Sequence, residues 1–127
     1  MRAGDTFRFA DRALEKHLWI VISDPMLDVT DPVVIVRLTT CRKGRDRTCI
    51  LQPGDHPFIT HATVVDYDWA LDISNAGLEG FVGRGKAFLQ EPVSPEVLGR
   101  IRQGAAESDM MPEGCKEILI NQGLISP

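Results

Sequence analysis

The feature that most constrains the fold of this chain is a series of short runs rich in β-branched and aromatic residues, separated by Gly, Pro and Asp. In the first run, Phe7 and Phe9 alternate with polar neighbours, which is the two-residue period of a half-buried strand. Two later runs, HLWIVIS and VVIVRLT, show little alternation, as expected of strands covered on both faces. We predict strands within residues 4–9, 17–23, 33–39, 48–51 and 62–67.

Short strands with frequent turn residues between them favour a small antiparallel sheet that is closed or strongly curled. The segment QPGD at 52–55 is one such turn, since proline pre-sets φ and glycine accepts positive φ. Alternating strand–helix units are not found in the sequence, so a parallel doubly wound sheet is not expected. Residues 69–85 are rich in glycine and predict a loop region with room for one helical turn, and 86–89 predict a further strand.

The last third of the chain changes to helical periodicity. Ser94 is a suitable N-cap, Pro95 suits the first helical position, and Glu96 favours the positive end of the helix dipole. Apolar residues then recur at helical spacing and predict a helix over about 95–107; they are Val97, Leu98, Ile101 and Ala105. A second helix is predicted over about 112–122, with an apolar stripe formed by Cys115, Ile118 and Leu119.

Length and composition are those of one globular domain, since the chain has 127 residues, of which 43% are hydrophobic and 25% charged. We predict a single domain over 1–127, mainly β over about 4–90 and helical at its C-terminal end. The longest apolar run, 18–22, is too short to span a membrane, and the N-terminal residues lack a secretory signal. Three cysteines without a CxxC pair favour reduced thiols and a cytoplasmic protein.

The charge pattern leaves two interpretations open. A net charge of −4 argues against a globally basic nucleic-acid binder. The segment RKGRDR nevertheless places four cations in one short stretch that could meet a phosphate backbone; they are Arg42, Lys43, Arg45 and Arg47. The alternative is that a charged loop simply keeps an exposed hairpin tip in solution.

The order of these segments resembles that of the PemK/MazF toxin family. The resemblance rests on G-D before the first strand, V-I-S at the end of the second run, V-V-I-V-x-L-T in the third, V-V-x-x-D in the fifth, and the helix S-P-E-V-L-x-R-I. It covers roughly 4–107, and the last helix is an addition. The resemblance implies an SH3-like, curled antiparallel barrel that forms a homodimer. It also implies a metal-independent endoribonuclease that acts on single-stranded RNA and is neutralised by an antitoxin peptide.

The resemblance also implies site residues at the matching positions. Thr39 and Thr40 correspond to the family's T-S or T-T at the end of a strand, and Asp68 corresponds to an Asp that some members have after the V-V pair. The family's Arg-Pro ahead of the second strand is His17-Leu18 in this chain. The arginine that would stabilise the attacked phosphate is therefore absent from its position.

Histidine side chains could supply catalytic groups although the family's arginine is absent. Metal-free RNA cleavage needs a base, an acid and a cation, and imidazole can serve as acid or base near neutral pH. We therefore take His17, His56, His61, Thr39 and Asp68 as candidate catalytic residues. The candidate RNA-binding residues are cations and one stacking aromatic: Arg37, Arg42, Lys43, Arg45, Arg47 and Trp69. No cofactor or metal is expected.

Two other functions stay open. The first is a non-catalytic barrel of the same kind that binds RNA or a protein partner. The second is a metal-binding protein built on the segment GDHPFITH, with Cys49, His56 and His61 as ligands and Cys41 as a fourth. The spacing of that set is not a standard zinc pattern, and each histidine could instead be a surface or capping residue that hydrogen-bonds to the loop backbone.

Overall fold

The computed structural model describes residues 1–12, 17–25 and 32–127. Its strands are β1 (Thr6–Phe9), β2 (Trp19–Val21), β3 (Pro32–Thr40), β4 (Ile50–Leu51), β5 (Thr63–Ser74) and β6 (Ala87–Gln90). Its helices are α1 (Asn75–Gly83), α2 (Pro95–Glu107) and α3 (Glu113–Asn121). Across the described ranges, no helix is both long enough and apolar enough to cross a membrane.

The strands form one antiparallel sheet in the order β4-β5-β3-β2-β1-β6. The prediction of a mainly β, antiparallel fold with C-terminal helices is therefore confirmed, as is the return of the chain to the sheet near 86–89. The described strands do not close into a barrel by hydrogen bonding, because β4 and β6 remain at opposite edges.

Contacts between the two edges show that the sheet is strongly curled. A flat sheet would separate β4 and β6 by about 24 Å, since neighbouring strands lie about 4.8 Å apart. The β4–β5 loop (52–62) nevertheless reaches the opposite edge, where His56 Nε2 lies 2.6 Å from the carbonyl oxygen of Glu91, just after β6. In the same loop, the Phe58 ring centroid lies 5.4 Å from the guanidinium carbon of Arg8 in β1. The sheet edges are thus brought together by a loop instead of by strand pairing.

The curl creates two apolar cores, one on each face of the sheet. The inner core collects alternate residues of β2, β3 and their flanks with the buried faces of α2 and α3; its members include Leu18, Ile20, Ile22, Val34, Val36, Leu38, Ile101 and Leu119. The outer core lies beneath α1 and includes Phe7, Trp19, Val21, Val33, Ile35 and Leu78. Strands β2 and β3 are therefore covered on both faces, as their uninterrupted apolar runs predict.

The prediction of a loop region over 69–85 is wrong. Strand β5 continues to Ser74, and α1 follows directly, with the Ser74 hydroxyl accepting a hydrogen bond from the N–H of Gly77 at 3.2 Å. Glycines lower the helix propensity of this segment, but Leu78 is 0% exposed in the outer core. Burial of that side chain against the sheet stabilises a helix that local propensity disfavours.

Helix α2 has the bounds that the sequence predicts, and the Ser94 hydroxyl accepts a hydrogen bond from the N–H of Val97 at 3.1 Å. Two arginines join this helix to the sheet. Arg100 donates to the carbonyl of Ile50 in β4 at 2.8 Å, and Arg102 donates to the carbonyl of Ile22 after β2 at 2.8 Å. Helix α2 thus spans the inner face of the curled sheet.

Candidate functional site

Strand β3 ends in polar residues that alternate with a core residue. Leu38 is 2% exposed in the inner core, whereas Arg37 and Thr39 on either side of it are partly exposed. The two-residue period of a strand places these two side chains on the face opposite Leu38. The end of β3 therefore presents a cation and a hydroxyl side by side on its outer face.

A cavity of about 620 Å³ lies over this end of β3. It is lined by the segment before β2, by the end of β3 with the β3–β4 loop (41–49), and by the β4–β5 loop. The residues that bring charge or acid–base chemistry to it are His17, His61, Thr39, Arg37, Arg42 and Arg45. Among the residues that the structure describes, no carboxylate lines this cavity, so we call it the basic cavity.

His17 is oriented in the basic cavity by the backbone of β3. Its Nδ1 lies 3.0 Å from the carbonyl oxygen of Leu38. Because a carbonyl only accepts hydrogen bonds, this contact assigns the hydrogen to Nδ1. In the neutral ring the lone pair is then on Nε2, which is the arrangement that a general base requires.

His61 lies on the opposite loop, exposed and flanked by two hydroxyl groups. Its Nε2 is 3.1 Å from the Thr40 hydroxyl, and its Nδ1 is 3.2 Å from the Thr60 hydroxyl. A hydroxyl oxygen can accept a hydrogen bond from either ring N–H, so both contacts are compatible with a protonated ring. The surroundings of His61 therefore suit a general acid.

Arg45 folds back from the β3–β4 loop into the basic cavity. A turn with a hydrogen bond of 3.2 Å from the N–H of Arg45 to the carbonyl of Arg42 reverses the chain, and Gly44 supplies the positive φ of 89° that the turn requires. The guanidinium of Arg45 donates to the Thr39 hydroxyl and, at 3.1 Å, to the Thr40 carbonyl. Lys43 and Arg47 of the same loop are exposed, and neither lines the basic cavity.

Asp46 attaches the β3–β4 loop to the end of α2. Its carboxylate accepts hydrogen bonds from the Ser108 hydroxyl and from the Thr48 N–H, the latter at 2.9 Å. Burial raises the pKa of Asp46, but the bonds from the Ser108 and Thr48 side chains and the Thr48 backbone outweigh that effect, so its pKa lies below the ordinary value. The loop is therefore fixed at one end by an ionised carboxylate.

A second depression, also of about 620 Å³, adjoins the basic cavity and shares Arg37 and Arg45 with it. The pairing of β3 with β5 is irregular here. Ile35 pairs with Leu71 and Arg37 pairs with Asp66, so β3 has one residue between the two pairs whereas β5 has four, 67–70. This bulge leaves Asp68 and Trp69 exposed. We call this second depression the acidic depression, because it also contains Asp46, Glu107 and Asp109.

Arg37 is held between a carboxylate and an aromatic ring at the border of the two depressions. Its Nη2 lies 3.1 Å from the Asp66 Oδ2, and its guanidinium carbon lies 4.0 Å from the centroid of the Trp69 ring. Asp66 was not among the residues predicted from the sequence. Only the register between β3 and β5 identifies it as the cross-strand partner of Arg37.

Apart from Lys43 and Arg47, which line neither depression, the candidate residues fall into three groups. His17, His61, Thr39, Arg37, Arg42 and Arg45 meet in the basic cavity. Asp68 and Trp69 lie in the acidic depression. His56 lies apart from both: it is 5% exposed, its Nδ1 accepts from the N–H of Phe58 at 3.0 Å, and its Nε2 faces the Glu91 carbonyl.

The candidate metal ligands do not converge. His56 uses both ring nitrogens on the backbone, and His61 lies exposed beside two threonines. Cys49 is 5% exposed, and burial raises the pKa of its thiol, which keeps it protonated. Within the described ranges, no group of three His, Cys, Asp or Glu side chains could hold a metal ion.

No protein-family model matches the chain, and no curated protein matches it. The functional assignment therefore depends on the geometry of the two depressions and on the resemblance of the sequence motifs.

Proposed function

We propose that this protein is a toxin-like, metal-independent endoribonuclease that acts on single-stranded RNA, a divergent member of the PemK/MazF-like proteins with an SH3-like barrel. The observation that carries the proposal is the composition of the basic cavity. Two histidines, four threonines and three arginines line one space of about 620 Å³, without a carboxylate among the described residues. Such a set is complementary to a phosphodiester and includes an acid–base pair.

In the proposed reaction His17 is the base and His61 is the acid. His17 Nε2 takes the proton of the ribose 2′-hydroxyl, and the 2′-oxygen forms a bond to phosphorus. The bond from phosphorus to the 5′-oxygen breaks, and His61 donates a proton to that leaving oxygen. The products are a 2′,3′-cyclic phosphate and a 5′-hydroxyl, so that atoms and charge balance without a co-reactant.

The arginines would stabilise the charge of the pentacoordinate phosphorane. Arg37 is oriented before substrate binds, by its contacts with Asp66 and Trp69. Arg45 already donates to the Thr39 hydroxyl at the end of β3, where a phosphate oxygen would replace the hydroxyl as acceptor. In this scheme Arg45 takes the part of the arginine that the family has at the position of His17.

The partners that the resemblance implies belong to the same proposal. An acidic antitoxin segment that folds on binding would enter the basic cavity and contact Arg42 and Arg45. The resemblance further implies a homodimer. Because an antitoxin of this kind would compete with RNA for the same arginines, its binding should protect RNA from cleavage.

The test is cleavage of a mixed-sequence, single-stranded RNA by the purified protein in EDTA. We expect cleavage by the wild type and loss of cleavage in His17→Ala and His61→Ala, by about 100-fold or more, as for removal of a general acid or base. Arg45→Ala should lose activity, whereas Arg84→Ala, a matched arginine that lines neither depression, should keep it. RNA that stays intact through long incubation with the wild type would refute the proposed activity.

A non-catalytic RNA-binding protein is the second candidate, because the three arginines of the basic cavity could each neutralise one phosphate of a strand even without chemistry. Neutralisation of three phosphates by its arginines predicts a slope of about −2 in a plot of log affinity against log salt concentration. The affinity would then fall roughly 15- to 20-fold between 50 and 200 mM salt. Binding with that slope and without cleavage would support this candidate over the enzyme.

A further inference from the structure

We propose that the acidic depression is a nucleobase subsite that prefers guanine. This inference rests on the proposed function, because the base belongs to an RNA strand whose phosphate lies in the basic cavity. Arg37 and Arg45 line both depressions, so a nucleotide held by its phosphate at these arginines would have its base next to the acidic depression.

Two exposed apolar side chains give the acidic depression a surface for a base. Trp69 of β5 is 53% exposed, and Met110, in the segment after α2, is 48% exposed. The Trp69 ring is already stacked on Arg37 at 4.0 Å, which fixes its orientation before any ligand binds. Aromatic side chains held in this way are the usual platforms on which single-stranded RNA bases stack.

Each apolar residue has a carboxylate as its sequence neighbour. Asp68 precedes Trp69, Asp109 precedes Met110, and both carboxylates are exposed in the same depression. In the described part of the chain, neither carboxylate takes part in a hydrogen bond or ion pair, whereas Asp46, Asp66 and Glu107 are already engaged. Asp68 and Asp109 are therefore the acceptors that remain for a ligand.

Carboxylates at this place select the base and exclude the phosphate. An ionised carboxylate only accepts hydrogen bonds and repels phosphate oxygens, so the strand should turn its base edge toward Asp68 and Asp109. Guanine presents two adjacent donors, N1–H and the N2 amino group, which match the two oxygens of one carboxylate. Adenine and cytosine present a single amino group, and in uracil the N3–H lies between two carbonyls that the carboxylate repels. The expected order is guanine, then adenine and cytosine, then uracil.

The experiment measures binding to 2′-O-methyl hexanucleotides, which lack the nucleophilic hydroxyl and cannot be cleaved by the proposed route. Hexauridine is compared with the same strand carrying one guanine or one inosine, since inosine lacks the N2 amino group. We expect the strand with guanine to bind about tenfold more tightly or better than hexauridine. The inosine strand should fall between the two.

Variants assign that preference to the acidic depression. Asp68→Asn or Asp109→Asn should reduce the guanine-to-uracil ratio severalfold, since an amide is a weaker acceptor and offers donors. Trp69→Ala should weaken binding of every strand, and Trp69→Phe should restore it. Asp72→Asn is the matched control, because Asp72 is exposed on the same strand outside the acidic depression and should leave the ratio unchanged.

The outcomes separate this inference from the proposed function. Equal affinity for the guanine and uracil strands, with RNA cleavage intact, would overturn the subsite and leave the enzyme standing. An equal gain in affinity for all strands in the asparagine variants would also overturn it, because the carboxylates would then only repel the strand. No binding of any strand at low salt, together with uncut RNA, would overturn both.

Discussion

At the residue scale, Arg37 is the side chain at the border of the two depressions that is held by both a carboxylate and an aromatic ring. Its side chain is 13% exposed, and its guanidinium lies between the Asp66 carboxylate and the Trp69 ring. A lysine would keep the charge but lose the planar group that stacks on the ring, so the two are not equivalent here. Because the guanidinium is already ordered, little side-chain entropy is lost when it meets a phosphate.

The reactivity of the three cysteine thiols tests how deeply each of them is buried. Cys49 and Cys115 are 5% and 3% exposed, and burial raises the pKa of both thiols, that of Cys115 to about 11. Cys41 is partly exposed at the end of β3. At neutral pH we expect a thiol reagent to modify Cys41 quickly in the native protein and all three cysteines after unfolding. Rapid modification of three thiols in the native protein would contradict the inner core described above.

At the element scale, α2 approaches β5 closely because Gly104 has no side chain. The Tyr67 hydroxyl donates to the Ile101 carbonyl at 2.7 Å, directly beside Gly104. A Cβ on Gly104 would lie 2.9 Å from the Cβ of Cys49 and closer still to the Tyr67 hydroxyl. The contact fixes α2 on the sheet immediately behind the bulge that exposes Trp69.

A pair of glycine substitutions in α2 tests that contact. Gly104→Ala should lower the free energy of unfolding by about 1–3 kcal/mol, because the core must shift to admit the methyl group. Gly99→Ala, with no atom within 4 Å of its Cβ, should raise it by about 0.5–1 kcal/mol through helix propensity. Urea denaturation measures both. Equal effects of the two substitutions would mean that α2 does not lie against Tyr67.

Because of Asp46 in the β3–β4 loop, we expect the stability of the protein to depend on pH. The pKa of Asp46 is lower in the folded protein than its ordinary value of 3.8. The contribution of the Asp46 carboxylate to the free energy of unfolding is therefore fully present above pH 3.8. It is lost as the pH falls through the lower folded-state pKa. Asp46→Asn should be less stable than the wild type at neutral pH, and the difference should vanish in acid. A difference that persists below the folded-state pKa would contradict the assigned hydrogen bonds to Ser108 and Thr48.

At the scale of the whole molecule, a loop holds the two edges of the curled sheet together. His56 contributes to this link through its Nε2, which faces the Glu91 carbonyl, while the N–H of Phe58 in the same loop donates to its Nδ1 and orients the ring. The same loop carries His61 into the basic cavity. The curl is therefore a condition for the site, since it brings the β4–β5 loop to the end of β3.

The two histidines of this loop should respond differently to substitution. His56→Ala should lower the free energy of unfolding by about 1–3 kcal/mol, because it removes a buried ring together with its contacts to the Phe58 N–H and the Glu91 carbonyl. His61→Ala, at an exposed position, should change stability by less than about 0.5 kcal/mol while abolishing RNA cleavage. Thermal or urea unfolding of the two variants provides the comparison. A stable His56→Ala protein would indicate that the edges are held together in another way.

The same residues show how far the sequence predicts the structure. Helix α2 is predicted to the residue because its signals are local: a serine cap, a proline at the first position and apolar spacing. Helix α1 is predicted only as room for one helical turn, because its stability comes from burial of Leu78 against strands distant in sequence. Of the candidate cations and histidines, the structure brings five together in the basic cavity and leaves His56, Lys43 and Arg47 outside it. Their grouping depends on the β3–β5 register and on the curl, neither of which leaves a local signal.

The most direct test of the central claim is an analysis of the ends of the RNA fragments. A defined single-stranded RNA is incubated with the protein in EDTA, and the fragments are analysed by mass spectrometry. We expect 2′,3′-cyclic phosphates and 5′-hydroxyls with the wild type, and neither product with His17→Ala or His61→Ala. Intact RNA, or fragments with 3′-hydroxyls and 5′-phosphates, would contradict it.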